Sequence, residues 1–375
     1  MAAQATYCVK TEPRYGRGLY ATRYLEAGAQ VLREDPMVYS LSVGAPVCFS
    51  CLSESRGSPL KKCLQCGSVA YCNKECQARH WPQHRLECKG VASMDEGSRA
   101  NSLRMRLLVQ AMYTHGVGGE MYSFGGNDCR CPDVCEKIDS DLNGAEDIAH
   151  KSVPKLAPLD RDVGCDLLRK IMCNSFLIFT LPHRQIGEGI YLQGALLNHS
   201  CEPNCYYLFE GKTLVIKTLK KVKAGKQLFI CYVNPLDPVE HNPDAIWCLY
   251  GFMPRCVHCN DVEMDDVTQL QELSNLFEKK DWKGAIQHFK QPYKYKNVTS
   301  QIRAAQLHFM ATWRLNEELG LPLCAKPVLT ALDKYEKLRR THQYMSPWDT
   351  WFNMQELCSM LVIPLAMQGV MAGAA

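Results

Sequence analysis

Cys48-x2-Cys51, Cys63-x2-Cys66, Cys72-x3-Cys76 and His84-x3-Cys88 set eight ligand-type residues, paired at short spacing, inside 41 positions of a 375-residue chain. A tetrahedral zinc ion takes four nitrogen or sulfur ligands, and a gap of two or three residues lets neighbouring thiolates face one ion. Eight ligands therefore serve two ions. The stretch has too few apolar residues for a core of its own, so metal has to supply its folding free energy, on the order of 10–16 kcal/mol per structural site. Both tetrahedra are closed by protein, which leaves no open position for chemistry. This part of the chain reads as a metal-braced binding surface.

On the N-terminal side, residues 7–45 read as short extended segments. Gly16 and Gly18 flank Arg17 in a Gly-x-Gly turn, Leu25-Glu26-Ala27-Gly28 punctuates, and residues 31–39 alternate loosely. On the C-terminal side, Leu103, Leu107, Leu108, Ala111 and Met112 recur with a helical period over 102–115. Residues 116–160 are rich in Gly, Asp and Pro and read as loop with short helices. The apolar stretch 165–179 starts helical, and strands return over 190–232, where 214–219 and 228–232 bracket a turn at Ala224-Gly225.

Residues 263–340 read as paired helices. Leu270, Leu273, Leu276 and Phe277 form one face, Asp281-Trp282-Lys283-Gly284-Ala285 makes a turn, and Ile286 and Phe289 continue beyond it. A second pair covers 302–319 and 328–338. The pattern is similar to tetratricopeptide stacking, without a clean repeat.

Composition bounds the function. The chain is 46% hydrophobic and 22% charged, an ordinary globular balance. With 43 basic against 39 acidic residues, the net charge of +4 gives no reason to expect non-specific nucleic-acid or membrane binding. Lys61, Lys62, Lys74, Arg79, Arg85 and Lys89 make a mildly positive face around the cysteine cluster, which reads as solvated, so a DNA-binding zinc protein fits poorly. A secreted disulfide scaffold would be shorter than 21 cysteines in 375 residues suggests, and Met1-Ala2-Ala3-Gln4-Ala5-Thr6 has no apolar h-region. The uncharged stretch 357–375 raises a tail anchor, but Pro364, Gln368 and the small residues at its end favour a buried terminal helix and no membrane.

The run Tyr71-Cys72-Asn73-Lys74-Glu75-Cys76-Gln77, followed by His80-Trp81-Pro82-Gln83-His84, resembles the MYND finger. That resemblance implies a cross-brace, with Cys48, Cys51, Cys72 and Cys76 on one ion and Cys63, Cys66, His84 and Cys88 on the other. It leaves His80 as a helix-surface residue. Three further segments resemble SET methyltransferases: Gly16-Arg17-Gly18-Leu19-Tyr20-Ala21, Leu197-Asn198-His199-Ser200-Cys201-Glu202-Pro203-Asn204, and Tyr232 closing Leu228-Phe229-Ile230-Cys231. Cys173-Asn174-Ser175-Phe176 matches as well. A MYND finger set between the first segment and the others is the arrangement of the SET-and-MYND (SMYD) protein-lysine methyltransferases.

The resemblance covers residues 7 to about 262 well and the helical tail loosely. It implies an α+β multidomain chain: a β-rich SET fold split by a MYND zinc finger, then a post-SET segment and an α-helical, tetratricopeptide-like C-terminal region. The expected boundaries are 1–45 for the first SET part, 46–90 for the finger, 91–164 for a helical and loop insertion, 165–235 for the SET core, 236–262 for the post-SET segment and 263–375 for the helices, short for the family.

Methyl transfer to lysine requires the amine to lose a proton, at about 4 kcal/mol from a pKa near 10.4. It also requires an in-line approach to the methyl group and fixed dipoles in a dry channel. The resemblance implies that Tyr232 is catalytic, with its hydroxyl beside the methyl and the amine. Phe176 and Tyr250 would wall the lysine channel. Asn198, His199, Asn174, Arg17, Tyr232 and Phe252 would hold S-adenosylmethionine, Phe252 against the adenine. Protein substrates with a target lysine, proline-rich peptides on the finger, a monomeric state and a cytoplasmic and nuclear location belong to the same expectation.

Enzymes of this kind close the site with a third zinc, held by one cysteine of the Asn-His-Ser-Cys segment and three of a C-x-C-x2-C run. Here Cys201, Cys256 and Cys259 are present, but the first cysteine of the run falls on Pro254. His258, Cys205 or Cys248 fills the fourth place, or the site is empty. The family's Gly-Glu-Glu-Leu turn reads Gly225-Lys226-Gln227-Leu228, which removes two carboxylates. These departures leave a second reading open, a MYND scaffold whose SET core no longer turns over. Cys129-x-Cys131-x3-Cys135 has zinc-like density but no fourth partner nearby, and reads as loop cysteines.

Overall fold

The computed structural model describes residues 5–13, 16–53, 59–115, 132–154, 160–180, 184–201, 203–233 and 243–253, and 269–341 except 271, 274, 277–278, 291–297 and 322–324. The chain divides into two compact units, Met1–Asn198 with Asn204–Ile230 and Trp247–Phe252, and His199–Pro203 with Cys231–Ile246 and Met253–Ala375.

In the first unit the order is β1 (Tyr7–Glu12), β2 (Gly16–Ala21), β3 (Gln30–Glu34), β4 (Val38–Leu41), β5 (Lys61–Lys62), β6 (Ala70–Tyr71), α1 (Lys74–His84), α2 (Cys88–Ala92), α3 (Glu96–Ala100), α4 (Leu103–His115), α5 (Pro132–Ser152), α6 (Arg161–Asn174), β7 (Ser175–Thr180) and β8 (Arg184–Ile190). A short 3-10 turn, Gly194–Leu196, leads to β9 (Asn198–His199), followed by β10 (Cys205–Glu210), β11 (Thr213–Thr218) and β12 (Phe229–Ile230). The strands form small sheets: β1 pairs antiparallel with β2, β4-β8-β7 make a second and β10-β11-β3 a third. Alternation over 31–39 thus resolves into two strands in different sheets.

Arg17 lies in a strand, and the expected Gly-x-Gly turn is absent. Strand β2 bonds on both edges: to β1, and to the 225–228 segment through Leu228 N to Leu19 O (2.8 Å), Ala21 N to Lys226 O (2.9 Å) and Gly225 N to Ala21 O (2.7 Å). Two-sided pairing, with Leu19, Tyr20 and Ala21 buried, overrides the local turn preference of the glycines.

Residues 132–152, expected as loop with short helices, form the 21-residue helix α5. Its Ile138, Leu142, Ala145, Ile148 and Ala149 fall on one buried face, a helical period that its Asp and Gly residues disguise. Helix α2 crosses it so closely that a Cβ at Gly90 would stand 2.5 Å from the Ile148 backbone. Only glycine permits that approach.

The finger is not a separate core. Val47, Phe49, Leu52, Val69 and Tyr71 pack into one buried cluster with Tyr39, Leu41, Ile178 and Ile186 from β4, β7 and β8. The few apolar residues of this stretch join the core of the neighbouring sheet, which completes their burial.

Helix α7 (Pro243–Tyr250) has residues assigned to both units; in the second unit, α8 (Trp282–Lys290) packs on α9 (Val298–Glu318) and α9 on α10 (Lys326–Thr341). Leu270, Leu273, Ala285, Ala304, Leu307 and Ala311 form the core, and the alanines let helix axes approach closely. The expected turn 281–285 is shorter than its sequence suggests. The helix already begins at Trp282, because Asp281 Oδ1 accepts from Gly284 N (2.9 Å) and caps it. No helix among the described residues is long and apolar enough to cross a membrane. The stretch 357–375 and Phe277 lie outside the described residues, and nothing is described of the Phe289 side chain.

Candidate functional site

Both expected metal groups assemble. Cys48, Cys51, Cys72 and Cys76 bring their sulfurs within 4.8 Å of one another, as do the ligand atoms of Cys63, Cys66, His84 and Cys88. Four atoms about 2.3 Å from one zinc define a tetrahedron with edges of about 3.8 Å. Cys51 and Cys72 lie 3.7 Å apart, Cys63 and Cys88 3.8 Å, and Cys66 Sγ lies 3.6 Å from His84 Nε2. The donor chemistry and the spacing both fit zinc.

Local backbone sets each ligand. Leu52 N returns to Cys48 O (2.8 Å) and Gly67 N to Cys63 O (2.8 Å), closing each Cys-x2-Cys into a tight knuckle. Asn73 caps α1, its Oδ1 accepting from Cys76 N (2.8 Å), which fixes where Cys76 enters the first group. Arg79 donates to Cys76 Sγ at 3.2 Å. In this group Cys72 is exposed and Cys51 half-buried, whereas all four ligands of the second are buried. The first is thus an outer group and the second an inner one.

His84 turns Nε2 to the inner group and Nδ1 to Glu87 Oε1 (3.1 Å). Glu87 is fully buried and also accepts from Arg106 Nε (3.1 Å), Arg106 Nη2 (2.9 Å) and Gln110 Nε2 (3.0 Å). Burial alone would raise its carboxyl, but the Arg106 guanidinium and the hydrogen bonds from His84 and Arg106 outweigh it and hold the group well below the usual carboxylate range.

His80, expected on the helix surface, is 3% exposed. Its Nδ1 lies 2.9 Å from the Tyr71 hydroxyl and its ring stacks on His84. Burial pulls its pKa down to about 4, so the ring is neutral near pH 7. Helix α1 lays this face on Tyr39, Phe49 and Tyr71, and a neutral imidazole is the polar side chain that fits there. Trp81 and Leu64 take the surface instead.

Within the first unit, Asn198 and Arg17 meet: Asn198 Nδ2 donates to Arg17 O at 2.9 Å. Gly18 leaves room for these amides, since a Cβ there would stand 2.9 Å from Asn198 Nδ2 and 2.3 Å from Gln227 Nε2 and would push both side chains aside. Asn174 ends α6 with Nδ2 on Lys170 O (2.7 Å), directly before β7. Phe176 is buried edge-on to Tyr191 and Tyr207, ring centres 5.7 and 5.2 Å away. Tyr250 and Phe252 sit side by side at 6.3 Å, and Cys173 Sγ approaches Leu249 O at 3.6 Å, so the end of α6 and the 249–252 segment are neighbours.

Within the second unit, His199 and Tyr232 meet. Their ring centres are 5.3 Å apart, and Tyr232 N donates to His199 Nδ1 at 3.1 Å. A donor on Nδ1 leaves the proton of the neutral imidazole on Nε2, which faces Cys201 Sγ at 3.2 Å. Cys205, a candidate for the fourth place of a third zinc, is a core residue of β10 whose thiol burial pushes up to about 12. Pro254, Cys256, His258, Cys259, Glu202, Cys129 and Cys131 lie outside the described residues; Cys135 sits half-buried on α5.

Sequence reasoning missed the residues that hold this arrangement. Asn204 only closes the motif in the sequence, yet its Nδ2 donates to Gln227 O (2.9 Å), its Oδ1 accepts from Phe229 N (2.8 Å) and its O from Leu219 N (2.8 Å), tying the motif to β12. Glu34 accepts from Gln193 N (3.0 Å) and Gly194 N (2.9 Å), capping the turn that delivers Asn198. Glu87 and Arg106 carried a signal, an acid three residues after a His ligand and an arginine inside an apolar stripe.

The family model described as SET domain matches residues 16–233, more than half of the chain. The chain belongs to the SET domain family. The matched span brackets in sequence all eight residues of the two metal groups. Among curated proteins, the SET chain is similar to "Histone-lysine N-methyltransferase SMYD3" of Mus musculus, 29% identical over 68% of this chain and 61% of that protein. It is 28% identical to "N-lysine methyltransferase SMYD2" of Homo sapiens over 70% of this chain and 62% of that protein, and 28% identical to "N-lysine methyltransferase SMYD2-A" of Xenopus laevis over 83% and 72%. The chain spans about three fifths of the length of the first curated relatives it matches.

Proposed function

We propose that this SET protein is an S-adenosylmethionine-dependent protein lysine N-methyltransferase of the SMYD kind, acting on lysines of histones or other proteins. The observation that carries the reading is the adjacency of His199 and Tyr232, with Tyr232 N–H on His199 Nδ1, in a chain whose SET match ends at residue 233. Bound S-adenosylmethionine supplies an electrophilic methyl group. The chain's own residues do the rest. Arg17, Asn174, Asn198, His199, Tyr232 and Phe252 hold the cofactor, and Phe176 and Tyr250 line the lysine's path. The Tyr232 hydroxyl orients the amine, and burial in an apolar surround lowers the cost of deprotonating it.

In this reading residues 46–90 are a MYND finger inserted between SET parts 1–45 and 165–235, with 91–164 as the insertion, 236–262 as the post-SET segment and 263–375 as a tetratricopeptide-like region. Zinc fills both finger groups, and Cys201, Cys256 and Cys259 hold a third ion. The protein works as a monomer in cytoplasm and nucleus. Its finger carries fully exposed Leu64 and half-exposed Trp81, an apolar pair suited to proline-rich peptides.

The same pair, with Lys226 and Gln227 where the family has two glutamates, favours the scaffold as the second reading. Incubation with labelled S-adenosylmethionine and a protein extract separates the two. Label transfer that disappears in Tyr232→Phe, with cofactor binding retained, supports the enzyme. Cofactor binding without any transfer in the unaltered chain leaves only the scaffold.

A further inference from the structure

We infer that Glu87, gripped by Arg106 and Gln110 of α4, is the positioning residue of the inner metal group, so that metal retention there is set by a helix outside the ligand set. The inference rests on the reading of that group as a zinc site.

Three observations meet. First, His84 turns Nε2 to the inner group and Nδ1 to Glu87 Oε1 at 3.1 Å, and a carboxyl already held by Arg106 accepts from Nδ1–H, which leaves the Nε2 lone pair for the metal. Second, Glu87 cannot drift. Arg106 takes both carboxylate oxygens and Gln110 a further share, while Arg106 Nη1 is itself anchored on Leu41 O of β4 (2.8 Å). Third, Glu87 and Arg106 are 0% and 1% exposed. A buried ion pair is a poor device for stability, because apolar residues of similar volume do as well or better. Its worth at this place lies in orientation, as a carboxylate–histidine relay whose carboxylate is held by another element. The outer group has only cysteines, and Arg79 donates directly to one of its sulfurs from an exposed position.

The consequence is asymmetric. Loosening Glu87 lets the His84 ring rotate and weakens one ion, leaving the other untouched. Losing the orienting partner of a histidine ligand costs about 10–100-fold in metal affinity.

The full-length chain, zinc-loaded, is challenged with a chromophoric chelator, and the release of the ions is followed in Arg106→Gln, Glu87→Gln and Leu107→Ala. Leu107 is fully buried on the same helix and its apolar side chain makes no hydrogen bond, so it reports a merely structural effect. Cobalt substitution identifies the ion released, since a three-sulfur, one-nitrogen site and a four-sulfur site differ in visible spectrum. We expect Arg106→Gln to release the inner ion at least about tenfold faster with the outer unchanged, Glu87→Gln to do so more weakly because its amide still accepts from Nδ1, and Leu107→Ala to leave the ratio of the two rates as it was. Equal acceleration of both ions by Arg106→Gln, no acceleration, or the same selective loss in Leu107→Ala overturns the inference. If Arg106→Gln does not fold, Glu87→Gln carries the test alone, and an unchanged release ratio in it is the overturning result. An unaltered chain that binds no zinc at all instead removes the zinc reading on which the inference stands.

Discussion

The inner and outer metal groups have the same spacing within each ligand pair and similar separations, Cys63 to Cys88 at 3.8 Å in one and Cys51 to Cys72 at 3.7 Å in the other, but different surroundings. The inner four are buried against helix α4 and an ion-paired network. The outer four include exposed Cys72 and half-buried Cys51. Ligand spacing along the chain therefore encodes which residues share an ion. It does not encode what stands behind them, and that second property separates a metal that is part of the core from one that clips down a surface loop.

The largest effect should come from removing both metals. Each structural zinc supplies on the order of 10–16 kcal/mol, and the finger's apolar residues are shared with β4, β7 and β8. Chelation should therefore make residues 46–90 the first site of proteolysis and also loosen the adjoining sheet, read as faster amide exchange at residues 38–41 and 186–190. A finger that resists protease after complete metal removal would break the comparison at its root.

Next come single ligands. Cys63→Ser, in the buried inner group, is expected to cost several kcal/mol by leaving a metal site short of a ligand in a closed environment. Cys72→Ser should cost distinctly less, because water can approach the exposed position and take the vacated place. Thermal melts of the two variants at saturating zinc decide it, and equal losses would mean that exposure of Cys72 has no energetic consequence.

Smaller again is Tyr71→Phe. The hydroxyl lies 2.9 Å from His80 Nδ1, and its loss leaves a buried ring nitrogen unsatisfied, a cost of about 1–3 kcal/mol. The loss should be the same at pH 6 and pH 8, because burial holds His80 neutral down to about pH 4. Denaturant unfolding of parent and variant at both values checks it.

How much of this could be read beforehand follows the same division. The eight ligands, the helix at 102–115 and the strands around Ala224-Gly225 were legible because each rests on local spacing or period, and α4 (Leu103–His115) and β11 (Thr213–Thr218) fall within a residue of expectation at most of their ends. The meetings of Arg17 with Asn198 and of His199 with Tyr232 were legible only through family resemblance, since 181 and 33 residues separate the partners. What stayed hidden depends on neighbours far along the chain. Arg17's strand needs a second edge at 225–228. His80 is buried by aromatics from β4 and β6. Glu34 acts on a turn 159 residues away, and Glu87 is held by a helix whose arginine looks like an interruption in an apolar stripe. Helix α5 was obscured differently, by Asp and Gly residues that mimic a loop in composition, although Asp141 is buried and Gly144 packs against Met105, while Ile138, Leu142, Ala145, Ile148 and Ala149 keep the period.

The smallest effect expected tests the outer group alone. Asn73 caps α1 by accepting from Cys76 N, so it both satisfies a helix terminus and aims an outer ligand. Asn73→Ala should lower stability by about 1 kcal/mol, the ordinary worth of such a cap. If the cap only stabilises the helix, the loss reaches His84 at the other end of α1, and both ions dissociate faster. If it chiefly aims Cys76, the outer ion is released faster while the inner one, pinned through His84 by Glu87, keeps its rate. The second pattern is expected, because helix ends fray independently over eleven residues and the His84 end is the one tied to the core. Equal release of both ions in Asn73→Ala would mean that α1 transmits the damage as a rigid rod, and that the two groups are one cooperative unit despite their different surroundings.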